Sequence, residues 1–407
     1  MNRRITTFYW MQLFVLASVH FLIDMFASML PAILPAIRAE FSLSLSLGGL
    51  VLAVMLMASN GIQPLIGHMR ADKRRPLFLH LGLILAVSIC LLGALPRGSS
   101  AFSLIILLAV VSGCGIAIVH PEGLRAVHWL RRIPPAVSTA VFMAGGFLGY
   151  ASGGAVSAYL VSRFGLKGLY PLVLCPVIGI VMVVFLRIRL AVERKVRNKN
   201  KVRTEENRLP FWLIMTMAMP AAVSTTVLAN LLPTVLNELG FELTFGGFST
   251  TMFGLGGAVG SFVWANIAGK KGELKCSIVA LFLVVPFLVA YLVLINTRMA
   301  IWILFGAGFC AIAAYVLMIT LSRQAAGLSL GQRMGFMLGG TWALASIVFM
   351  ALLPVTEHFG PNVILKFTPL GYLCSGAFGL FVMFKLRNSA HTKLPAPQPT
   401  AEKTHFD

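Results

Sequence analysis

The chain reads as an all-α membrane protein of twelve transmembrane helices in two six-helix pseudo-repeats. Composition, the spacing of the apolar runs and the placement of Lys and Arg lead there. Of 407 residues, 58% are hydrophobic and only 11% are charged, and the mean hydropathy is +0.88. A soluble domain carries about 25% charged residues and has no interior large enough for so much apolar surface. The net charge of +20 is not a nucleic-acid footprint, because the basic residues sit in short clusters between apolar runs.

A helix crosses the ~30 Å hydrocarbon core in about 20 residues. Breaks at charged or Gly/Pro-rich stretches leave apolar segments at 8–37, 45–69, 77–96, 101–123, 134–162 and 168–188. A second set falls at 209–237, 246–268, 275–295, 300–322, 332–356 and 363–386. The first segment follows Arg3 and Arg4 but is too long for a signal peptide and lacks a small-residue cleavage site, so it reads as a retained helix. The stretch 188–208 is the long polar insertion and reads as a basic cytoplasmic linker between bundles at 1–187 and 209–387. Residues 388–407, with Pro395, Pro397 and Pro399, read as a disordered cytoplasmic tail.

Orientation follows from the 33 Lys and Arg. With the N-terminus inside, only Arg38, Arg97, Arg163, Lys167, Arg298 and Lys366 fall in outer loops. Such a bias places both termini in the cytoplasm and the protein in an inner membrane. A weak repeat relates the halves: Leu30-Pro31 and Gly48-Gly49 recur as Leu232-Pro233 and Gly246-Gly247. Parallel repeats of this kind set a substrate cavity at their interface, near the bilayer midplane.

Ionisable groups inside a membrane are costly, which makes them functional candidates. Asp24 falls mid-way along the first helix with His20 four residues before it, on the same helix face. Proton coupling at this pair and a permanent buried pair that fixes packing both fit. His120-Pro121-Glu122, followed by Arg125, ends the fourth helix near the inner face, and Pro121 removes a ladder hydrogen bond there. Glu122 and Arg125 are spaced to pair, either to position a loop or to gate. Gln63, beside Pro64, offers an uncharged polar group for substrate contact or helix packing. The glycines at 145, 146, 149, 153 and 154 form a close-packing face on the fifth helix. In the second half the interior polar residues include Thr226 and Asn230, with Thr226 at the repeat position of Asp24 and Ala222 at that of His20. His120, Glu122, Arg125, Gln63, Thr226 and Asn230 are therefore the cavity candidates.

The six cysteines stand singly in apolar runs, without metal-ligand spacing. No nucleophile–base pair and no phosphate-binding loop is visible, so neither an enzyme nor a cofactor is expected.

His20-x3-Asp24, Gln63-Pro64-x2-Gly67 and His120-Pro121-Glu122 together resemble the fosmidomycin-resistance group of major facilitator transporters, best over residues 12–160. The resemblance implies the major facilitator fold and proton-coupled transport, commonly outward, of small drugs or metabolites. The chain departs from the superfamily's usual loop between helices 2 and 3, with Ala71 at the aspartate position and Asp72 one residue late. Gly153-Gly154 also stands where antiporters carry Gly-Pro. The expectation is a monomeric proton-coupled exporter of a small molecule, with a lipid bilayer and protons as its other partners. A proton-linked importer and a transporter-like sensor are the alternatives.

Overall fold

In a computed structural model the described residues are 3–63, 65–66, 73–133, 135–191, 209–328 and 330–392. They are almost wholly helical, and twelve helical segments follow the twelve apolar runs. The first half holds α1 (Arg3–Phe41), α2 (Leu45–Gly61), α3 (Leu77–Ala86, continued as a 3-10 helix over Val87–Ala94) and α4 (Ala101–Trp129). It ends with α5 (Pro135–Phe164) and α6 (Leu166–Val173 in 3-10 form, then Leu174–Phe185). The second half holds α7 (Phe211–Glu238), α8 (Leu243–Lys271), α9 (Glu273–Val293) and α10 (Ala300–Gln324). It closes with α11 (Leu330–Gly335, a π turn at Phe336–Gly340, then Thr341–Phe359) and α12 (Pro361–Lys366, then Thr368–Thr392). Among the described residues, eleven of these helices are long and apolar enough to cross a membrane, and α2 is apolar but shorter. The protein is a multi-pass membrane protein.

Helix ends differ from the sequence expectation for physical reasons. α4 runs through Pro121 to Trp129, because neighbouring helices in a bundle can satisfy the groups a proline frees. α12 continues to Thr392, so 388–392 is helical rather than disordered tail, and 393–407 lies outside the described residues. The linker is described only over 188–191, and the eroded loop positions 67–72 also fall outside.

Each half packs around its first helix. α5 lies along α1 and, on another face, along α8 of the second half. Glycines let the backbones meet: the Cα of Gly149 faces the carbonyl of Phe21, and Gly154 and Gly247 lie against each other. Without lipid-excluding hydrophobic force, such close van der Waals contact is what holds membrane helices together. α2 and α11 form the matching contact between halves, with Gly49 under the Leu353 side chain.

The loops α1–α2 and α7–α8 share one face of the bundle. That face is tied across the halves by the Arg38–Glu238 ion pair at 3.7 Å. The Ser46 N–H also donates to Glu357 Oε2 at 2.7 Å, and the Ser46 hydroxyl donates to the Leu353 carbonyl at 3.2 Å. Deeper, the Ala155 N–H donates to Thr251 Oγ1 at 3.2 Å. The opposite, terminal face carries the N-terminal end of α1 and the linker ends.

Candidate functional site

Asp24 is the twenty-second residue of a 39-residue helix, so it stands near the middle of the span at 1.5 Å per residue. Its carboxylate lies between two histidines. Oδ2 is 3.3 Å from His20 Nε2 on the same helix, as the i,i+4 spacing predicts. Oδ1 is 3.0 Å from His120 Nε2 on α4. The three ligating atoms all lie within 4.8 Å of one another, compact enough to share a proton or hold a small cation.

Each ring is anchored at its other nitrogen. His20 Nδ1 meets the Phe142 carbonyl of α5 at 2.8 Å, and His120 Nδ1 meets the Ile116 carbonyl at 2.9 Å. The Phe142 ring stacks on His20 at 4.2 Å and 17°, while His120 meets His20 edge-on at 5.2 Å. Gly146 closes the cluster from α5: a Cβ there would lie 2.5 Å from both Asp24 Oδ2 and His20 Cε1. Only glycine lets α5 come this near. The side chains of Asp24 and His120 keep 19% and 24% of their surface exposed, against 4% for His20, so the cluster is open on one side.

Asp24, Ala27 and Pro31 follow one stripe of α1, and that stripe leads to a small crevice of about 10 Å³ between the halves. Its walls are Ala27, Leu30, Pro31, Leu52, Met55, Leu56, Ser59 and Asn230. Asn230 is buried, donates from Nδ2 to the Thr226 carbonyl at 2.7 Å, and leaves Oδ1 without a partner. Gln63 lies one turn beyond Ser59, with its Nε2 donating to the Ser59 carbonyl at 2.8 Å. Thr226 is buried beside Asn230 on α7.

Glu122 and Arg125 point elsewhere. Glu122, 1% exposed, accepts from the Phe78 N–H at 2.9 Å and the Leu79 N–H at 3.3 Å. It caps the first turn of α3, where Pro76 at the N-cap supplies no side-chain acceptor. Arg125 donates to the Lys73 carbonyl at 2.6 Å and to the Ala191 carbonyl at 2.7 Å. With the Leu190 N–H to Arg74 carbonyl bond, it knits three chain segments on the terminal face. The structure thus groups His120 with Asp24 and His20, sets Asn230 and Ser59 in the cleft, and places Glu122 and Arg125 in a loop anchor. Sequence reasoning missed Phe142 as a partner and Gly146 as a cluster wall, although the glycine face itself was visible.

The Major Facilitator Superfamily model matches residues 16–350. The chain belongs to that superfamily. That superfamily is one of transporters rather than of enzymes. The fosmidomycin resistance protein of Escherichia coli (strain K12) is 28% identical over 163 residues, 40% of this chain and 39% of that protein. An uncharacterized MFS-type transporter, YfnC, of Bacillus subtilis (strain 168) is 26% identical over 157 residues, 38% of this chain and 37% of that protein. The chain is matched over about two fifths of the length of these relatives. Among solved structures, a bacterial homolog of the human lysosomal transporter Spinster, inward-facing and unoccupied, superposes with a TM-score of 0.67. It shares 14% identity, with 95% of this chain and 97% of that chain covered, which establishes the fold. The same homolog, inward-facing and occupied, gives 0.63.

Proposed function

We propose that the protein is a proton-coupled exporter of a small drug or metabolite in the cytoplasmic (inner) membrane, working by alternating access. The carrying observation is the carboxylate of Asp24, held mid-span between two histidines and open on one side. An ionisable group at mid-span is costly, which makes this carboxylate the foremost functional candidate. Asp24 takes up and gives back a proton as the cleft faces each side in turn, with His20 as its partner. Substrate binds in the cleft beside Asn230, Ser59 and Gln63.

The terminal face is the cytoplasmic one in this reading, because the Lys and Arg concentrate there. Reporters fused within 188–208 and after Arg387 both signal cytoplasm; an external signal from either reverses the orientation. The Arg38–Glu238 and Glu357–Ser46 ties then close the outer side, and rocking of 1–187 against 209–387 breaks them.

The functional test uses an efflux-deficient bacterial host and fosmidomycin, followed by a panel of other small antimicrobials. The wild-type protein raises the inhibitory concentration of at least one compound several-fold, and Asp24→Asn at equal membrane abundance does not. Asp24→Asn keeps shape and hydrogen bonding while removing the titrating group. Full protection by a well-folded Asp24→Asn protein would remove Asp24 from the mechanism.

A further inference from the structure

Three ligating atoms converge at Asp24, and the bonds behind them fix which atoms they are. A backbone carbonyl only accepts, so the contacts of His20 Nδ1 with Phe142 and of His120 Nδ1 with Ile116 each place a hydrogen on Nδ1. In the neutral ring that tautomer leaves a lone pair on Nε2. The two Nε2 atoms and a carboxylate oxygen of Asp24 lie within 4.8 Å of one another. His20 Nε2 stands 3.3 Å from Oδ2, and His120 Nε2 stands 3.0 Å from Oδ1. Neighbouring ligands on a tetrahedral ion lie about 3.3 Å apart when the bonds are about 2.0–2.1 Å long. An ion therefore fits among these atoms with small side-chain shifts.

We infer that His20, Asp24 and His120 form an exchangeable site for one divalent transition-metal ion of the Zn2+, Co2+ and Ni2+ class. A metal-binding histidine gives its other ring N–H to an acceptor that holds the tautomer and the direction of the ring. Both rings here have such an acceptor, from α5 for His20 and from α4 for His120. The Phe142 ring stacked on His20 at 4.2 Å holds that imidazole further. The titratable groups acting on Asp24 among the described residues are His20, His120 and Tyr150. No lysine or arginine is among them, so a cation is the counter-charge this carboxylate lacks. Two imidazoles with one carboxylate suit neither Mg2+ nor Ca2+, which take oxygen sets, nor Cu+, which takes sulfur.

Three protein ligands leave a fourth position. α5 closes the His20 side, where a Cβ at Gly146 would lie 2.6 Å from His20 Nε2. Asp24 and His120 stay partly exposed, so the fourth position lies on their side and takes water. Structural sites are closed by four protein ligands, whereas a site with an open position exchanges its fourth ligand. The ion joins α1 to α4, and any proton on the Nε2 atoms leaves as it binds. The site stands without the proton-coupled reading. On that reading, a bound ion excludes the coupling proton from Asp24 and arrests transport.

The test uses full-length, tag-free, metal-stripped protein in lipid nanodiscs, titrated with Co2+ and then Zn2+. The wild type should take up one Co2+ with the intense d–d absorption of a four-coordinate ion, and Zn2+ should displace it. A change in the outer shell of a metal site costs about 10–100-fold in affinity, so loss of a ligand in His120→Gln or Asp24→Asn should cost at least roughly a hundredfold. His358 is exposed and far along the chain, and His358→Gln should bind as the wild type does. Solid-state NMR of the 15N-histidine-labelled wild type needs no variant to fold. There Zn2+ should move the Nε2 signals of two rings and leave both Nδ1 atoms protonated. A folded wild type without the d–d band overturns the inference, as does equal affinity in the wild type and both ligand variants. So does a Zn2+ titration that moves only one ring. Failure of metal binding while protection still needs Asp24 sinks the metal site alone. Protection that survives Asp24→Asn while the wild type binds the ion sinks the coupling reading and leaves the site standing.

Discussion

Asp24 on α1 and Thr226 on α7 hold matching places in the two halves, and their surroundings differ in kind. Around Asp24 every polar contact involves a group that can change its proton: two imidazoles and a carboxylate. Around Thr226, in the middle of α7, the contacts are neutral. Thr225 Oγ1 pairs with the Tyr372 hydroxyl at 2.6 Å, the Ala221 N–H donates to Ser375 Oγ at 2.9 Å, and Asn230 bonds back to the Thr226 carbonyl. One architecture thus serves two purposes. At this depth the first half holds titratable side chains and the second neutral ones, among them Asn230, whose Oδ1 has no partner.

Two glycines expose this difference with the largest expected effects. Gly146 of α5 lies against Asp24 and His20, and Gly371 of α12 lies against Ser224 and the Pro220 carbonyl of α7. Alanine at either site overpacks a helix crossing, at a cost of roughly 1–3 kcal/mol. Thermal unfolding should fall in both variants. Gly146→Ala should also displace the His20 ring signals and abolish antimicrobial protection at 30 °C, whereas Gly371→Ala should keep protection in proportion to the folded amount. Equal functional loss in both, per folded molecule, would erase the distinction between the halves.

Next come the arginines at the terminal face. Arg125 of the first half is 7% exposed and spans to the Lys73 and Ala191 carbonyls. Arg333 of the second half donates to the Arg323 carbonyl at 3.2 Å, and its Nε has no partner. Charge-assisted bonds to carbonyls contribute about 1.5–3 kcal/mol. Arg125→Ala should therefore lower stability by the upper part of that range and Arg333→Ala by less, read from unfolding in detergent. A larger loss for Arg333→Ala would show that the first-half anchor is not the stronger one.

The fold was legible because a bilayer forces every backbone group into a helix, and hydropathy then marks the helices almost one by one. The His20–Asp24 pair was legible because four residues make one helix turn. His120 was visible only as a member of a short run with Glu122 and Arg125; its place beside Asp24 depends on the crossing of α1 and α4, 96 residues apart. Glu122 and Arg125 show the limit of spacing rules. Both are within reach of each other along α4, yet Glu122 accepts from the first N–H groups of α3 and Arg125 donates to the carbonyls of Lys73 and Ala191, and nothing local in the sequence announces those partners. Phe142 contributes its carbonyl as well as its ring to His20, and a backbone group leaves no signature in residue type.

A smaller effect tests the neutral half directly. Tyr372→Phe removes the hydroxyl that meets Thr225 and keeps the ring in place. The loss should be about 0.5–1.5 kcal/mol of stability. Proton-driven protection should keep its pH profile, because the proposed mechanism puts the coupled proton on Asp24 in the first half. A shifted profile in Tyr372→Phe would mean that the second half takes part in coupling.

The smallest stability change concerns the contact that joins the halves. Arg38 and Glu238 meet at 3.7 Å with 24% and 45% of their side chains exposed. An exposed pair contributes about 0–1 kcal/mol, so Arg38→Ala should barely move the unfolding midpoint. The same energy acts differently on a conformational balance. It is present when this face is closed and absent when it is open, and 1.4 kcal/mol is about a tenfold change in an equilibrium constant. Losing up to 1 kcal/mol should thus raise the open population up to about fivefold. Spin labels at Leu47 and Leu239, both exposed beside the tie, would report it as growth of a long-distance population. Glu238→Gln should give the same shift, and the double variant should add little, because both changes delete one interaction. High salt should mimic the substitution in the wild type and do less in the variants. Additive shifts from Arg38→Ala and Glu238→Gln would show that the two residues act through separate partners, and the tie between the halves would then rest on Glu357 and Ser46.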